Sequence, residues 1–438
     1  MTILLNPVII SVILLCVLCL CRINVLLAII ISAITAGLTG GLGIDRVMST
    51  FITGMGGNSE TALSYILLGT FAAAMTHTGL ATILAKKIAN VIADKKVMLL
   101  FILAGIAVLS QNLIPVHIAF IPILIPPLLH VMNKLKLDRR AAACALAFGL
   151  KAPYIAIPAG FGLIFQGLIA DNMTLNGMQV LKNDVWKSTW ILGIAMFAGF
   201  LTAIFISYRK PREYQDCEVC KNELEKEDEE ALKLNKNHYI TLLGAFATLA
   251  VQLWTKSLPL GALVGLGIVF GGGAVSHRKM DKLINEGIGL MGYVAFVMLV
   301  AAGFALVLKE TGGIDILVNA IMPFMQNSKI IATGLMLFLG LFITMGIGTS
   351  FGTIPILAVL FIPICSHLGM SVPASIVVLA AAAALGDAGS PASDTTLGPT
   401  AGLNADGQHN HIWDTCIPTF LHYNIPIIIF ALIAAIYF

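Results

Sequence analysis

Charge is what this chain most lacks. Asp, Glu, Lys and Arg together make up 11% of its 438 residues, against 58% hydrophobic residues and a mean hydropathy of +0.93. A water-soluble fold needs a charged shell that this composition cannot supply, so the chain belongs in a lipid bilayer. The formal net charge of +3 is small and scattered, which excludes nucleic acid as a partner. The first apolar stretch, about 3–20, has no basic residue before it and no small-residue cleavage site, and reads as a retained span. A disulfide framework is also missing. Of eight cysteines, Cys16, Cys19, Cys21, Cys144, Cys365 and Cys416 lie in apolar segments, where cysteine is a small buried hydrophobe. Cys217 and Cys220 form a single CxxC in a charged segment and read as a reduced cytosolic pair, so no metal site is expected. There is no HExxH. The only approach to the GxGD of an intramembrane aspartyl protease is Ala384-Leu385-Gly386-Asp387, which lacks the first glycine, so an enzyme is not expected.

What the chain does have is itself, twice. Residues 8 to about 125 recur 233 positions later, at 241 to 358, without a gap. Gly54 and Gly56 correspond to Gly287 and Gly289, Thr78-Gly79 to Thr311-Gly312, and IPIL at 121–124 to the same string at 354–357. Duplicated membrane halves with polar breaks inside apolar segments place a solute or ion site between them, near the bilayer midplane. The one long hydrophilic segment, 207–237, holds nine acidic and seven basic residues and separates repeat 1 (1–206) from repeat 2 (238–438).

Each half reads as three apolar spans, a polar-tipped segment, a span broken by Gly, Pro and polar residues, and a final span. In the first half these fall near 3–20, 25–43, 60–80, 97–132, 141–169 and 186–207. In the second they fall near 239–255, 259–275, 287–308, 330–365, 373–402 and 414–437. The fourth segment is read as a re-entrant hairpin, because its arms, about 97–109 and 118–132, are short for a bilayer core that takes about 20 residues to cross. Two short full crossings remain the alternative, and both return the chain to the same side. Five crossings per half is an odd number, so the second half is inverted relative to the first. With the segment 207–237 in the cytoplasm, nineteen of the 26 Lys and Arg residues fall inside, which agrees with ten crossings and both termini outside.

The broken spans carry the chemistry. One reads AFGLKAPYIAIPAGFG from Ala147 and the other AAALGDAGSPASDTTLGPTAG from Ala382. Their prolines remove helix donors and their glycines let the backbone open, exposing carbonyls and half-helix ends suited to ions. An ionised side chain in a membrane needs a compensating reason, and Lys151, Asp387 and Asp394 are the clear cases. Ser390, Ser393, Thr395 and Thr396 supply the several oxygens that a hard cation such as Na+ wants. Lys151 is open to two readings. It is either a covalent cation standing where the other half offers Asp387 to a mobile one, or a salt-bridge partner that steadies the unwound segment. Hairpin-tip candidates are Ser110, Gln111 and Asn112 in the first half and Thr349 and Ser350 in the second. Glu60 opens the third span, either as an acid where ions come in or as a favourable charge at a helix N-terminus. His77 and His117 read as proton carriers or, more often for a lone membrane histidine, packing residues, and His409 and His411, beside Asp406, as a pH sensor or part of an ordinary solvated cytoplasmic turn.

The GDAGSPASDTT run, the hairpin before it and the two-half layout resemble the Na+/H+ antiporter family of the ion transporter superfamily, over nearly the whole chain. The likeness is to its NhaC-like branch, described both as Na+/H+ antiporters and as amino acid transporters, histidine among the suggested substrates. That resemblance implies paired hairpins and broken helices forming the ion and substrate sites, mapped here onto Ser110 to Asn112, Lys151 to Tyr154, Thr349 to Ser350 and Gly386 to Thr396. Lys151 stands where fully symmetric relatives would be expected to hold a second cation half-site, which argues against two ions per cycle.

The expectation is therefore an all-α polytopic membrane protein of the bacterial inner membrane, with two inverted repeats, working as a cation-coupled secondary transporter. Na+/H+ antiport is the first reading and Na+- or H+-coupled amino acid uptake the alternative. A passive channel would differ in carrying currents that neither saturate nor couple. Its partners are lipid and a small ion or amino acid, a homodimer is compatible with this, and no cofactor is expected beyond the transported Na+ or H+.

Overall fold

The computed structural model describes residues 6–21, 23–80, 83, 95–112, 117–215, 234–255, 257–314, 316, 328–391 and 393–438. Among the described residues the regular structure is helical. The first half runs α1 (Pro7–Leu20), α2 (Val25–Thr39), α3 (Ile44–Met55), α4 (Ser59–His77), α5 (Lys96–Asn112), α6 (His117–Lys134), α7 (Arg139–Ala156), α8 (Phe161–Leu175) and α9 (Lys182–Thr202). The second runs α10 (Lys236–Thr255), α11 (Leu258–Gly271), α12 (Met280–Glu310), α13 (Lys329–Ile347), α14 (Ser350–His367), α15 (Val372–Ala384), α16 (Asp394–Leu403) and α17 (Ile417–Tyr437).

The 233-residue spacing recurs in the helix boundaries and in what starts each helix. Asn24 caps α2 by accepting from the Leu26 amide, and Ser257, its counterpart, caps α11 through the Leu260 amide. Asp138 caps α7 and its counterpart Ser371 caps α15. Short polar side chains at these places satisfy amide donors that a helix start leaves free. The spacing also recurs in the packing, with roles exchanged. Gly54 lies against Gly303, and their counterparts Gly287 and Thr70 lie against each other. A Cβ on Gly54 would fall 2.9 Å from the Gly303 Cα, and one on Gly287 2.5 Å from the Thr70 Cα, so these glycines let α3 and α4 each approach α12 closely.

Two features depart from expectation. A separate helix, α3, precedes the third span, burying Val47, Phe51 and Gly54 on one face while Ile44, Met48 and Ile52 stay exposed. Its second-half equivalent is fused into the 31-residue α12. Gly56 to Asn58 form a 3-10 turn that divides the first-half version, and the buried Asn58 side chain is held by the Met298 carbonyl at 3.1 Å. The hairpin arms are also longer than expected, at 17 to 19 residues. Ser350–His367 alone is long and apolar enough to cross a membrane, yet 83% of it is buried inside the protein.

Among the described residues, Lys182–Ser207, Met291–Glu310, Ser350–His367 and His411–Tyr437 have spanning length and composition. Arg139–Ala156 with Phe161–Leu175 forms a further span bent by 47°. The protein is a multi-pass membrane protein, and its outer surface fits that. Trp186, Trp190 and Phe197 on α9, Trp254 on α10 and Leu421, Ile425 and Ile429 on α17 are exposed, as side chains facing lipid should be. The innermost elements are α7, α14 and α15, whose residues are almost all buried. The second hairpin arm of each half packs on the distal broken helix of the other, α6 on α16 and α14 on α8, so neither half completes its centre alone.

Candidate functional site

The two broken spans meet at Asp387. After α15 the chain is unwound from Leu385 to Pro391, with Gly386 and Gly389 at φ of +80° and +103°. A side chain at Gly386 would fall 2.5 Å from the Leu341 carbonyl, so both its space and its backbone angle require glycine. Asn424 on α17 grips the opened segment from both ends, accepting from the Gly386 amide at 3.3 Å and donating to the Ala388 carbonyl at 3.0 Å. In the first half the break is at Ile157 to Gly160, between α7 and α8.

Asp387 is 4% exposed and its carboxylate is surrounded by donors. Lys151 Nζ donates to Oδ2 at 2.7 Å, the Ser350 hydroxyl at 2.6 Å, the Tyr154 hydroxyl at 3.2 Å and the Ser350 amide at 3.3 Å. Ser393 Oγ donates to Oδ1. Lys151 is 1% exposed and also reaches Ser350 Oγ at 3.3 Å. Of the two readings of Lys151, the structure shows the salt bridge, and its partner is Asp387 itself. Tyr154 is the residue 233 positions before Asp387, so repeat-related residues touch across the centre, and a single shared site results.

Against this cluster lies a cavity of about 30 Å³, lined by Tyr65, Gln111, Tyr154, Phe161, Met291, Gly348, Thr349, Phe351, Asp387, Ser393, Asp394 and Thr395. That volume holds about two waters or one desolvated cation. Gln111 is 4% exposed, and its Oε1 has no hydrogen-bond partner among the described residues. Asp394 opens α16, with Ser393 as the cap, and its exposed side chain faces the cavity. The hairpin tip of the second half supplies Gly348 at φ +78° and Thr349. The cavity lies where the hairpins and broken spans meet α4 and α12, which contribute Tyr65 and Met291. Phe351 packs on Tyr65, Tyr154, Phe161 and Phe165 and closes one wall with aromatic rings.

The candidate residues separate into distinct groups. Asp387, Lys151, Ser350 and Ser393 are bonded together, and Asp394, Thr395, Thr349 and Gln111 line the same space. Ser390 and Thr396 are structural: Ser390 Oγ donates to the Met345 carbonyl, and Thr396 Oγ1 to the Ser390 and Ser393 carbonyls. Glu60 lines a different cavity. The side chains of Ser110, Asn112 and His117 lie outside the described residues, as do Cys217 and Cys220. His77 is 3.1 Å from Lys279 Nζ. His409 departs from the solvated-turn reading, whereas His411 is half-buried. His409 is 2% exposed with its ring 2.7 Å from Thr415, and His411 bridges the Pro391 carbonyl and Thr400.

The sequence reading also missed a second buried ion pair. Arg139, the first residue of α7, is 0% exposed and meets both oxygens of Asp406 at 2.6 and 2.5 Å. It also donates to the Leu403 carbonyl and to Asn133, and lies 4.2 Å above the Tyr214 ring. Burial opposes ionisation of Asp406, but the Arg139 hydrogen bonds and charge outweigh it and hold the carboxyl below the usual range. Burial pushes the neighbouring His409 down to about 4.

A buried carboxylate in unwound membrane backbone, beside an ion-sized cavity and an unpartnered carbonyl, defines a cation-coupled membrane transporter. The comparisons agree: residues 145–436 match the Na+/H+ antiporter family and residues 6–92 a further Na+-H+ antiporter family, and the chain belongs to the former. It is 47% identical to an uncharacterized membrane protein of Vibrio parahaemolyticus, over 98% of this chain and 99% of that one. It is 45% identical to a Bacillus subtilis protein named "Putative amino acid transporter YuiF", over 98% and 99%. In fold it is similar to the YdaH transporter of Alcanivorax borkumensis, with a TM-score of 0.61 and 14% identity over 90% of this chain and 88% of that one. It is also similar to Neisseria gonorrhoeae MtrF, described as illuminating a class of antimetabolite efflux pumps, with a TM-score of 0.56 and 15% identity over 90% and 85%.

Proposed function

We propose that the protein is a Na+/H+ antiporter in which Na+ and the Lys151 ammonium compete for Asp387. The carrying observation is that Asp387 has a cation already, a lysine 2.7 Å away, beside a cavity of one-ion size. A Na+ in that cavity would meet Asp387, the Gln111 Oε1 and the hydroxyls of Thr349, Ser393 and Thr395. Two cations cannot share one buried carboxylate cheaply, so Na+ arrival favours neutral Lys151 and release of its proton. Loss of Na+ favours reprotonation. The site charge is the same in both states, so the exchange is one Na+ for one proton and electroneutral.

The mechanism asks the hairpins and broken spans to move against α4 and α12, opening the cavity alternately to each side. Only differential occupancy of the two states produces coupling. We assign two inverted five-crossing units, 1–206 and 238–438, joined by a cytoplasmic segment 207–237, with both termini outside. The distribution of Lys and Arg supports this orientation.

In proteoliposomes an external Na+ pulse should change the internal pH, the rate should not respond to an imposed membrane potential, and Asp387→Asn should remove the response while leaving the protein inserted. Cation-driven amino acid uptake is the second reading, favoured by the name of the Bacillus subtilis relative. Labelled histidine uptake under a Na+ or proton gradient, without any Na+-triggered pH change, would replace antiport with it.

A further inference from the structure

A second cavity, of about 80 Å³, opens beside the first-half break and is lined by Asn58, Glu60, Ser64, Pro158, Gln166, Asp171, Lys182 and Asn183 among others. It is separate from the Asp387 cavity but built on the same elements. On α4, Tyr65 lines the first cavity and Ser64 the second; at the first break, Phe161 lines the first and Pro158 the second. Tyr65, Phe161 and Phe351, which pack on one another, line the first cavity.

Its chemistry is that of an acceptor-rich pocket. Glu60 and Asp171 supply two carboxylates against one cation, Lys182, which is paired with Asp171 at 3.0 Å. The more telling residue is Gln166. It is 2% exposed, and its Nε2 donates to the Ile155 carbonyl at 3.3 Å, an atom that can only accept. The amide orientation is therefore fixed by its partner. Its Oε1 is left buried with no hydrogen-bond partner among the described residues. A buried carbonyl oxygen without a donor is costly, and a bound cation removes that cost. Gln111 presents the same feature to the Asp387 cavity, so each cavity has one unsatisfied glutamine oxygen and a neighbouring carboxylate.

We propose that this second cavity is a monovalent-cation site, with Glu60 and the Gln166 Oε1 as its principal ligands, that holds Na+ with part of its water before it moves on to Asp387. The assignment rests on the antiport reading for its role, but not for binding itself. Its larger volume has room for a cation with several waters, whereas the Asp387 cavity requires a bare one.

The test is equilibrium 22Na+ binding to purified, detergent-solubilised Asp387→Asn protein, in which the inner site is disabled. Saturable Na+ binding should persist there. Adding Glu60→Gln with Gln166→Leu should weaken it tenfold or more, and Gln166→Glu should instead tighten it. Equal loss in both Gln166 variants, an unchanged affinity in the double substitution, or no saturable binding once Asp387 is changed would overturn the site. Failure of antiport itself would show differently, as wild-type liposomes with no Na+-triggered pH change.

Discussion

Two buried ion pairs tie α7 of the first half to the broken span of the second, and they are built in opposite ways. Arg139 meets Asp406 through two parallel hydrogen bonds, with Leu403, Asn133, Gln408 and the Tyr214 ring completing the surroundings. Lys151, twelve residues further along the same helix, offers Asp387 a single ammonium beside a cavity. A planar guanidinium suits a permanent clamp, while a lysine is a point charge whose proton leaves readily when buried. On the antiport reading, the same helix is fixed at one end and exchangeable about 18 Å away, at 1.5 Å per residue. The difference teaches that burial of a charge pair does not decide its role; ligand geometry and free neighbouring space do.

The comparison can be broken from the fixed end first. Arg139→Ala leaves Asp406 buried and unpaired, and should cost about 3–5 kcal/mol of stability. Thermal unfolding in detergent reads this, and Arg139→Ala with Asp406→Ala should be less damaging than the two losses summed. Lys151→Arg would convert the exchangeable pair into the clamp type. Na+/H+ exchange should slow about tenfold or more, since about 1.4 kcal/mol of extra pair stability is a tenfold change, while thermal stability stays the same or rises. Unchanged flux in that variant would remove the contrast. Tyr154→Phe deletes one donor to Asp387 and should shift apparent Na+ affinity by about fivefold, the worth of about 1 kcal/mol for one hydrogen bond.

The smallest effect is a pH dependence at the fixed end. Burial lowers the His409 pKa from 6.5 to about 4, so the unfolded loop binds the proton more readily than the folded one. Stability from neutral His409 is present above pH 6.5 and is lost as pH falls toward 4. Hydrogen exchange of residues 404–410 should therefore quicken, after correction for intrinsic rates, between pH 6.5 and 4.5, and no change would assign the loop's stability elsewhere.

How much was legible beforehand follows the same division. The 233-residue repeat, the broken spans and the candidacy of Asp387 and Lys151 lie on the surface of the sequence, because charges and prolines inside apolar runs are conspicuous. The meeting of Lys151 with Asp387 was not, since 236 positions separate them and periodicity carries no information on which helices cross. Tyr154 entered only at the end of the range that the resemblance mapped, Lys151 to Tyr154, because an aromatic in an apolar segment otherwise reads as core. The repeat register held the signal, because Tyr154 is the counterpart of Asp387 and residues on an exchange axis touch their own counterparts. Arg139 looked like one of many basic residues at a membrane edge, and nothing local marks its partner 267 positions away. The α3 helix was passed over because its sequence, IDRVMSTFITGM, mixes polar residues with a three-residue buried face too narrow to read as a span.

On the antiport reading, Na+ takes Asp387 from Lys151, and the displaced proton is the one exchanged. Direct measurement is available in weakly buffered solution, by titrating Na+ into purified protein and following proton release with a pH indicator. About one proton per bound Na+ should appear with the wild-type protein, and none with Lys151→Met that still binds Na+. Equal proton release from both proteins, or none from the wild type on Na+ binding, would contradict the account.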